Sequence, residues 1–203
     1  EWRFEFPEVL DDDGVYIGFD VVIGNPPYIR QEEFKEIKPH LKSKFKIYNS
    51  IADLLTYFVE LSNNIMADSG VFQFIISNKF TRANYGKTMR TFLLENTYMT
   101  HYIDFSGYNV FEEATVDAAI LGFENRKMLS QDLTYLDVEK SEIDITDFES
   151  FVKRKQSKFE IANLSENTWA FESNDVLKIK QKVESQGISL KDWDISINYG
   201  LKT

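Results

Sequence analysis

The sequence predicts an α/β protein with a mostly parallel central sheet, on three observations. Short apolar, β-branched runs recur along the chain, amphipathic stretches with helical spacing separate the first three of them, and a Gly-Asn-Pro-Pro stop follows the first. Continuous apolar runs of this length are typical of strands that are buried on both faces of a parallel sheet. Their alternation with helices is the pattern of an α/β fold.

The first predicted strand is Phe19 to Ile23 (FDVVI), and Gly24 to Tyr28 end it because two prolines cannot pair in a sheet. Gln31 to Lys46 is polar and basic and predicts a loop with a short helix. The next elements are a helix at Ile51 to Met66 with Asn49 or Ser50 as N-cap, a strand at Val71 to Ser77, a helix at Tyr85 to Glu95, and strands at Tyr98 to Phe105 and Val116 to Glu124.

The last two predicted strands are joined by a loop, Ser106 to Thr115, in which no helix fits, so we expect this pair to be antiparallel. Beyond residue 126 the sequence changes character. An acidic stretch (Gln131 to Ser150), a basic stretch (Val152 to Lys158) and an amphipathic helix (Asp175 to Ser185) predict a helical C-terminal extension.

Composition excludes several classes of protein. The chain of 203 residues has no Cys and two His, which excludes a disulfide scaffold and thiol catalysis and predicts no metal site. No apolar run is long enough for a membrane span and no signal peptide opens the chain, so we expect a cytoplasmic protein. A formal net charge of −10 argues against a stand-alone nucleic-acid binder.

The net charge nevertheless conceals a basic stretch in the N-terminal half of the chain. Residues 69–94 contain four bases and no acid: Lys79, Arg82, Lys87 and Arg90. We interpret these four as candidate contacts to the DNA backbone. A solvated protein face explains the same pattern equally well, and the sequence leaves both interpretations open.

One motif carries most of the functional information: Asn25-Pro26-Pro27-Tyr28, at the carboxyl end of a predicted parallel strand, where open α/β sheets bind ligands. This tetrad suits methylation of a planar amino group. The Asn25 side-chain oxygen and the Pro26 carbonyl are two acceptors for the amino hydrogens, and the prolines fix the direction of the carbonyl in advance. Tyr28 offers a ring on which a base can stack.

The tetrad in its context, FDVVIGNPPYIRQE, resembles the catalytic motif of adenine-specific DNA methyltransferases that use S-adenosylmethionine. The likeness is greatest to the gamma class of restriction–modification systems, including fused type IIG enzymes. DLLTYFVEL (Asp53 to Leu61), GVFQFIISNKF, YGKTMRTFLLEN and DFSGYNVFEEATVDAAIL are similar to the following segments of that family, and INYGLKT resembles the lead-in to its target-recognition region.

This resemblance implies a partial Rossmann-like methyltransferase sheet and assigns roles to six residues. Asn25, Pro26 and Tyr28 are the expected catalytic residues, and Phe111 is expected to pack on a flipped adenine opposite Tyr28. Pro27 and Phe58 are expected to line the pocket of S-adenosylmethionine. The implied partner is double-stranded DNA.

The family's glycine-rich cofactor loop and its ribose-binding acid have no counterpart in the sequence and would precede residue 1. We therefore interpret the chain as a central piece of a longer enzyme, with 1–126 as the C-terminal half of the catalytic domain and 127–203 as an extension toward target recognition. Taken alone, it is expected to be inactive and to self-associate through its cut sheet edge.

Two other functions remain open from the residues. The same tetrad occurs in enzymes that methylate the glutamine amide of peptide release factors, which are usually compact and complete. A non-catalytic scaffold or DNA-specificity module that keeps only the fold would also lack the cofactor loop.

Overall fold

The computed structural model describes residues 2–108, 110–111, 117–127, 132–138, 147–172, 174–189 and 192–195. Its strands are β1 (Phe19–Gly24), β2 (Met66–Ser77), β3 (Tyr98–Asp104), β4 (Ala118–Glu124), β5 (Asp132–Asp137) and β6 (Ser157–Glu160). Its α-helices are α1 (Trp2–Glu5), α2 (Lys38–Lys44), α3 (Leu55–Ile65), α4 (Lys87–Asn96), α5 (Phe148–Lys155) and α6 (Asn174–Gln186). The INYGLKT segment and most of the acidic stretch lie outside the described residues.

The six strands form one mixed sheet in the order β1-β2-β4-β3-β5-β6. Two neighbouring pairs, β1–β2 and β3–β5, are parallel, and the other three are antiparallel. The expectation of a mostly parallel sheet is therefore wrong. Strand β4 lies between β2 and β3 and is antiparallel to both. The antiparallel β3–β4 pair was predicted, whereas the β2–β4 pair was not.

The extension beyond residue 126 is not only helical. Strand β5 pairs with β3 and β6 pairs with β5, so the sheet continues past that residue. The chain forms two compact units, residues 1–170 and 171–203, and the predicted amphipathic helix is confirmed as α6 in the second unit. The described part of the chain contains no helix that is both long and apolar enough to cross a membrane.

One face of the sheet carries aromatic residues that are almost completely buried. Phe72 and Phe123 stack with ring centroids 4.1 Å apart and an interplanar angle of 15°, and Tyr102 is fully buried beside them in the register of the strands. Buried aromatic side chains of this size contribute a large share of the apolar surface that a folded core removes from water. Helix α3 contacts β2 and helix α4 contacts β3.

The opposite face is covered over only part of its width. Phe148 and Phe151 of α5 pack with Ile103 of β3 and Leu136 of β5. At the other side of the same face Val21 and Ile23 are 60% and 72% exposed. The prediction that β1 is buried on both faces is therefore wrong: β1 is an edge strand, and its outward side chains are accessible.

Helix α3 begins later than predicted, at Leu55, and Leu54 rather than Asn49 or Ser50 occupies its N-cap position. Asn49 instead accepts hydrogen bonds from Ile51 and Ala52 within the preceding turn. The Leu54 N–H donates to the Ile29 carbonyl over 3.0 Å. The start of α3 is thus bonded directly to the segment that follows Tyr28.

A segment near residue 169 folds over the region that follows β2. Trp169 is 2% exposed, its backbone N–H donates to Thr81 over 2.8 Å, and its ring meets Phe80 edge-on at 5.7 Å. Arg90 of α4 donates from Nε to the Glu166 carbonyl over 3.0 Å. These contacts of residues 166 and 169 hold the turn after β2 in place.

Candidate active site

The Asn-Pro-Pro-Tyr segment leaves the sheet at the carboxyl ends of two parallel strands. β1 ends at Gly24, whose partner in the register is Phe74, and β2 ends three residues further at Ser77. Pro26 is buried, whereas Asn25 and Pro27 are exposed. A ligand at this end of the sheet therefore has access to the Asn25 amide and to the ring of Pro27.

Tyr28 is held by its hydroxyl and by burial. Its Oη donates to the Ile75 carbonyl of β2 over 3.2 Å, and burial raises the pKa of the Tyr28 phenol to about 12. The phenol is therefore neutral at physiological pH and acts as a hydrogen-bond donor rather than as a base. Its ring is half-buried and remains partly accessible.

The structure brings Tyr28 and Phe111 together, although 83 positions separate them in the sequence. Their ring centroids are 5.9 Å apart, with an interplanar angle of 67°. A base held between two parallel rings needs them about 7 Å apart, since each carbon contact spans about 3.5 Å. The present spacing and tilt do not admit a base, so one ring has to turn or move when a base enters.

A second polar group lies at the start of α3, which is bonded to the segment after Tyr28, and it was not singled out from the sequence. The Tyr85 hydroxyl donates to Asp53 Oδ2 over 3.4 Å. Burial raises the pKa of the Asp53 carboxyl, while the Tyr85 hydrogen bond and the positive charges of Lys79 and Arg30 act in the opposite direction. Because Asp53 immediately precedes Leu54, this carboxyl is anchored next to the segment that carries Tyr28.

The two residues expected at the cofactor pocket lie on neighbouring segments. Pro27 is exposed in the tetrad, and Phe58 is half-buried on α3, one turn after the hydrogen bond between Leu54 and Ile29. Both offer apolar surface. Their shared role in one pocket stays a prediction.

Of the four bases predicted to contact DNA, the structure leaves Lys79 and Arg82 exposed. Lys87 is also exposed, but its Nζ lies 2.7 Å from a Glu166 carboxylate oxygen. Arg90 is 3% exposed and donates to the carbonyl oxygens of Phe80, Ala83 and Glu166. A phosphate contact does not fit Arg90, because its guanidinium is buried and its donors are engaged by the protein's own backbone.

Within the described residues, no group of three or more His, Asp or Glu side chains is placed to hold a metal ion. The polar residues that are gathered at this end of the sheet are amides, hydroxyls and single carboxylates. Such groups orient and polarise a ligand by hydrogen bonds.

The arrangement defines a class of protein by its fold. A structure described as a putative class I S-adenosylmethionine-dependent methyltransferase from Listeria monocytogenes has a similar fold, with a TM-score of 0.52 and 14% identity over 69% of this chain and 42% of that chain. The DrdV–DNA complex is also similar, with a TM-score of 0.55 and 15% identity over 77% of this chain and 18% of that chain. The mixed sheet therefore resembles the sheets of these structures in its fold.

The sequence comparison then specifies the family. Residues 1–111, more than half of the chain, match the model of the Eco57I restriction-modification methylase. The chain belongs to this family. The matched region includes β1 to β3, the complete tetrad and Phe111.

Two characterised relatives place the chain within much longer proteins. The type II restriction enzyme and methyltransferase RM.Eco57I of Escherichia coli is 29% identical over 172 residues, which are 79% of this chain and 16% of the relative. The type II methyltransferase M.BstVI of Geobacillus stearothermophilus is 37% identical over 107 residues, which are 51% of this chain and 19% of the relative. The chain thus spans less than a fifth of either relative.

Proposed function

We propose that this chain is part of an enzyme that transfers a methyl group from S-adenosylmethionine to the exocyclic amino group of adenine in DNA, within a restriction–modification system. The observation that carries the proposal is the Asn25–Tyr28 segment at the end of β1, with the Tyr28 ring against Phe111. The names of RM.Eco57I and M.BstVI support the reaction class, and the DrdV–DNA complex supports DNA as the partner.

In this proposal Asn25 and Pro26 activate the amino group. Their oxygens accept its two hydrogens, which favours a pyramidal nitrogen whose lone pair points at the methyl carbon. The nitrogen–carbon bond then forms as the carbon–sulfur bond breaks, and one proton leaves the amino group for solvent. Because the prolines fix the backbone before the substrate arrives, the Pro26 carbonyl needs no reorganisation during the reaction.

Tyr28 and Phe111 hold the target base. An adenine inside a duplex is inaccessible to this site, so it has to rotate out of the helix at a cost of a few kcal/mol. Stacking between two aromatic rings offsets that cost. The present ring separation of 5.9 Å means that entry of the base is coupled to a movement of one ring.

S-adenosylmethionine supplies the electrophilic methyl group. Pro27 is exposed and Phe58 is half-buried, so both present apolar surface that a nucleoside ring covers, and they fit one wall of its site. One wall cannot supply the charge pairing that this ligand needs, and binding has to offset several kcal/mol of lost freedom. The 203-residue chain alone is accordingly expected to be inactive.

Three further features belong to the same proposal. Residues 1–126 form most of the C-terminal half of the catalytic domain, strands β5 and β6 extend its sheet to residue 160, and the remaining residues lead toward target recognition. The exposed edge strand β1 favours association of the isolated chain with itself. The cytoplasm, where a restriction–modification enzyme meets its DNA, is the proposed location.

Membership of the restriction-modification methylase family favours DNA over the glutamine amide of a release factor as substrate. The intact tetrad, with an exposed Asn25, favours catalysis over a scaffold that keeps only the fold. Neither alternative has a structural observation of its own in its favour.

The test uses the whole protein that contains this chain, tritiated S-adenosylmethionine and unmethylated genomic DNA. We expect Asn25→Ala to lower methyl transfer about 100- to 1000-fold, as loss of one preorganised hydrogen-bond group at a reacting centre does. DNA affinity is expected to stay within about twofold, because phosphate contacts dominate it. Asn64→Ala, at an exposed position of α3, is the matched control. Parental transfer by Asn25→Ala, or transfer to a purified release factor in place of DNA, contradicts the proposal.

A further inference from the structure

Asn78 is the first residue after β2, and it is almost completely bonded within the protein. It is 7% exposed, its backbone N–H donates to the Asp117 carbonyl over 2.9 Å, and its own carbonyl accepts from Thr81 Oγ1 over 2.8 Å. It lies in the segment GVFQFIISNKF, but the sequence predicts no role for it. Its hydrogen-bond partners indicate a role in positioning a neighbouring segment.

The Asn78 side chain closes a small polar cluster. Its Nδ2 donates to Asp104 Oδ1 over 3.1 Å and to Ser106 Oγ over 2.8 Å. Ser106 in turn donates to the same carboxylate oxygen from its backbone N–H over 2.9 Å and from its hydroxyl over 2.8 Å. Because a carboxylate oxygen only accepts, the amide nitrogen of Asn78 has to face it, and the cluster has one arrangement.

These partners lie at the two ends of the connection that carries Phe111. Asp104 and Ser106 begin the connection from β3 to β4, and Asp117 ends it. Asn78 therefore holds both ends at once, the first through its side chain and the second through its backbone. Satisfied buried networks of this kind are rigid and specify one geometry.

The same strand end also holds the other ring of the site. The Ile75 carbonyl, three positions before Asn78 on β2, accepts the Tyr28 hydroxyl over 3.2 Å. The end of β2 and the residue after it thus hold both rings: Ile75 binds Tyr28 directly, and Asn78 binds the two ends of the connection that carries Phe111. We infer that Asn78 is a positioning residue, which sets the separation of these two rings and thereby the acceptance of the target base.

The inference rests on the proposed function, in which the two rings hold the flipped adenine. Asn78 touches neither base nor cofactor in it and acts through the position of Phe111. A displacement of about 1 Å at a reacting centre is enough to lower turnover about 100-fold. The consequence is a defect in turnover rather than in DNA binding.

Asn125 provides a matched control at the opposite end of the sheet. Its Nδ2 donates to the Met66 and Ala67 carbonyls, each over 3.1 Å, and its N–H donates to Gly70 over 2.8 Å. Asn125→Ala and Asn78→Ala therefore each remove two hydrogen bonds that a side-chain amide donates. Only Asn78→Ala removes them beside the rings.

The experiment compares both variants in the whole protein, after its target site has been read from N6-methyladenine in the DNA of expressing cells. For Asn78→Ala we expect the turnover number to fall about 10- to 100-fold, with little change in KM for DNA or in cofactor affinity. A duplex with 2-aminopurine at the target position should fluoresce more strongly when bound to Asn78→Ala than when bound to the parent enzyme. The reason is that the flipped base stacks less well on the two rings, and stacking quenches its fluorescence. Asn125→Ala should behave like the parent in all of these measurements.

A double-mutant cycle with Phe111→Ala tests whether Asn78 acts through that ring. If it does, Asn78→Ala adds nothing to Phe111→Ala, because the group that it positions is already gone. Independent, multiplicative losses overturn the inference, and so does an Asn125→Ala defect as large as that of Asn78→Ala. If Asn78→Ala fails to fold, Ser106→Ala serves as a milder second variant, because it removes one hydrogen-bond partner of Asn78. It should likewise lower turnover and add nothing to Phe111→Ala.

The two possible failures are distinguishable. Absence of N6-methyladenine with the parent enzyme, or parental turnover by Phe111→Ala, contradicts the proposed function before Asn78 is considered. A slow Phe111→Ala together with a fast Asn78→Ala contradicts only the role of Asn78.

Discussion

Two regions of the same sheet face differ in what covers them. The register places Val21 and Ile23 of β1 on the same face as Ile103 of β3 and Leu136 of β5. Ile103 and Leu136 are buried under Phe148 and Phe151 of α5, whereas Val21 and Ile23 are 60% and 72% exposed. The side chains are chemically alike, and only their neighbours differ.

The difference teaches that the candidate site lies at the less covered end of the molecule. The tetrad leaves the sheet from β1, the exposed edge strand, while the covered side contributes packing. Stability is therefore expected to depend mainly on the α5 side, and activity on the β1 side. The following changes separate these two dependences, in order of decreasing effect.

The largest expected effect is on the covered side. Phe151→Ala, at a position that is 2% exposed, should lower the free energy of unfolding by about 3–5 kcal/mol. Ile23→Thr on the exposed side keeps the β-branched shape and should change it by about 0.5 kcal/mol or less. Urea unfolding followed by circular dichroism measures both. Equal losses for the two variants would remove the distinction between the regions.

The next effect belongs to the exposed end. Tyr28→Ala in the whole protein should cost about 1–3 kcal/mol of transition-state stabilisation, the usual contribution of base stacking. Tyr28→Phe keeps the ring and loses the hydrogen bond to Ile75, so a milder loss of about 0.5–1.5 kcal/mol is expected. Steady-state methyl transfer compares the two variants. If Tyr28→Phe is as slow as Tyr28→Ala, the hydroxyl rather than the ring carries the function.

The exposed edge also predicts association of the 203-residue chain. Ile23→Lys should weaken self-association about tenfold or more, because a charge on an edge strand opposes pairing with a second strand. Ile188→Lys is the matched control, since Ile188 is 73% exposed and lies outside the sheet. Sedimentation velocity over a range of concentrations measures the change. If the unsubstituted 203-residue chain is monomeric at all concentrations, the prediction is wrong.

The smallest expected effect concerns the bases near the site. Charge reversal at Arg82, which is exposed, should reduce the slope of log affinity against log salt by about one for each lost phosphate contact. Lys87→Glu should have a similar or smaller effect because Glu166 already neutralises Lys87. Lys153→Glu, on the covered side of the molecule, should leave the slope unchanged. If charge reversal at Arg82 leaves the slope unchanged, Arg82 makes no phosphate contact and belongs to a solvated protein face.

Local patterns predicted the succession of strands and helices from β1 to β4 and the position of the tetrad at a strand end, but they did not predict helix α1, because apolar and charged residues alternate there as in a strand. They did not predict that the outward face of β1 is exposed, because an apolar β-branched run looks the same whether or not a neighbouring layer covers it. The open edge at this strand was expected only from the family resemblance. The polar stretch after residue 126 gave no sign of β5 and β6, whose pairing partners lie elsewhere in the sequence.

The site itself was predictable where a short motif carried it. Tyr28 and Phe111 were paired through the family resemblance, and the structure places their rings 5.9 Å apart. Arg90 was misjudged because composition cannot distinguish an exposed base from one whose guanidinium is held by backbone carbonyls. Asn78 was missed because its partners Asp104 and Ser106 follow it by 26 and 28 positions.

The contacts of Trp169 and Glu166 have a practical consequence for dissecting the molecule. A shortened chain that ends near residue 126 would remove the ring that covers Phe80 and one acceptor of the Arg90 guanidinium. A buried guanidinium that loses one of its acceptors and an uncovered aromatic ring are each destabilising. The smallest piece suited to expression and crystallisation therefore runs through residue 170, well past the end of the family match at residue 111.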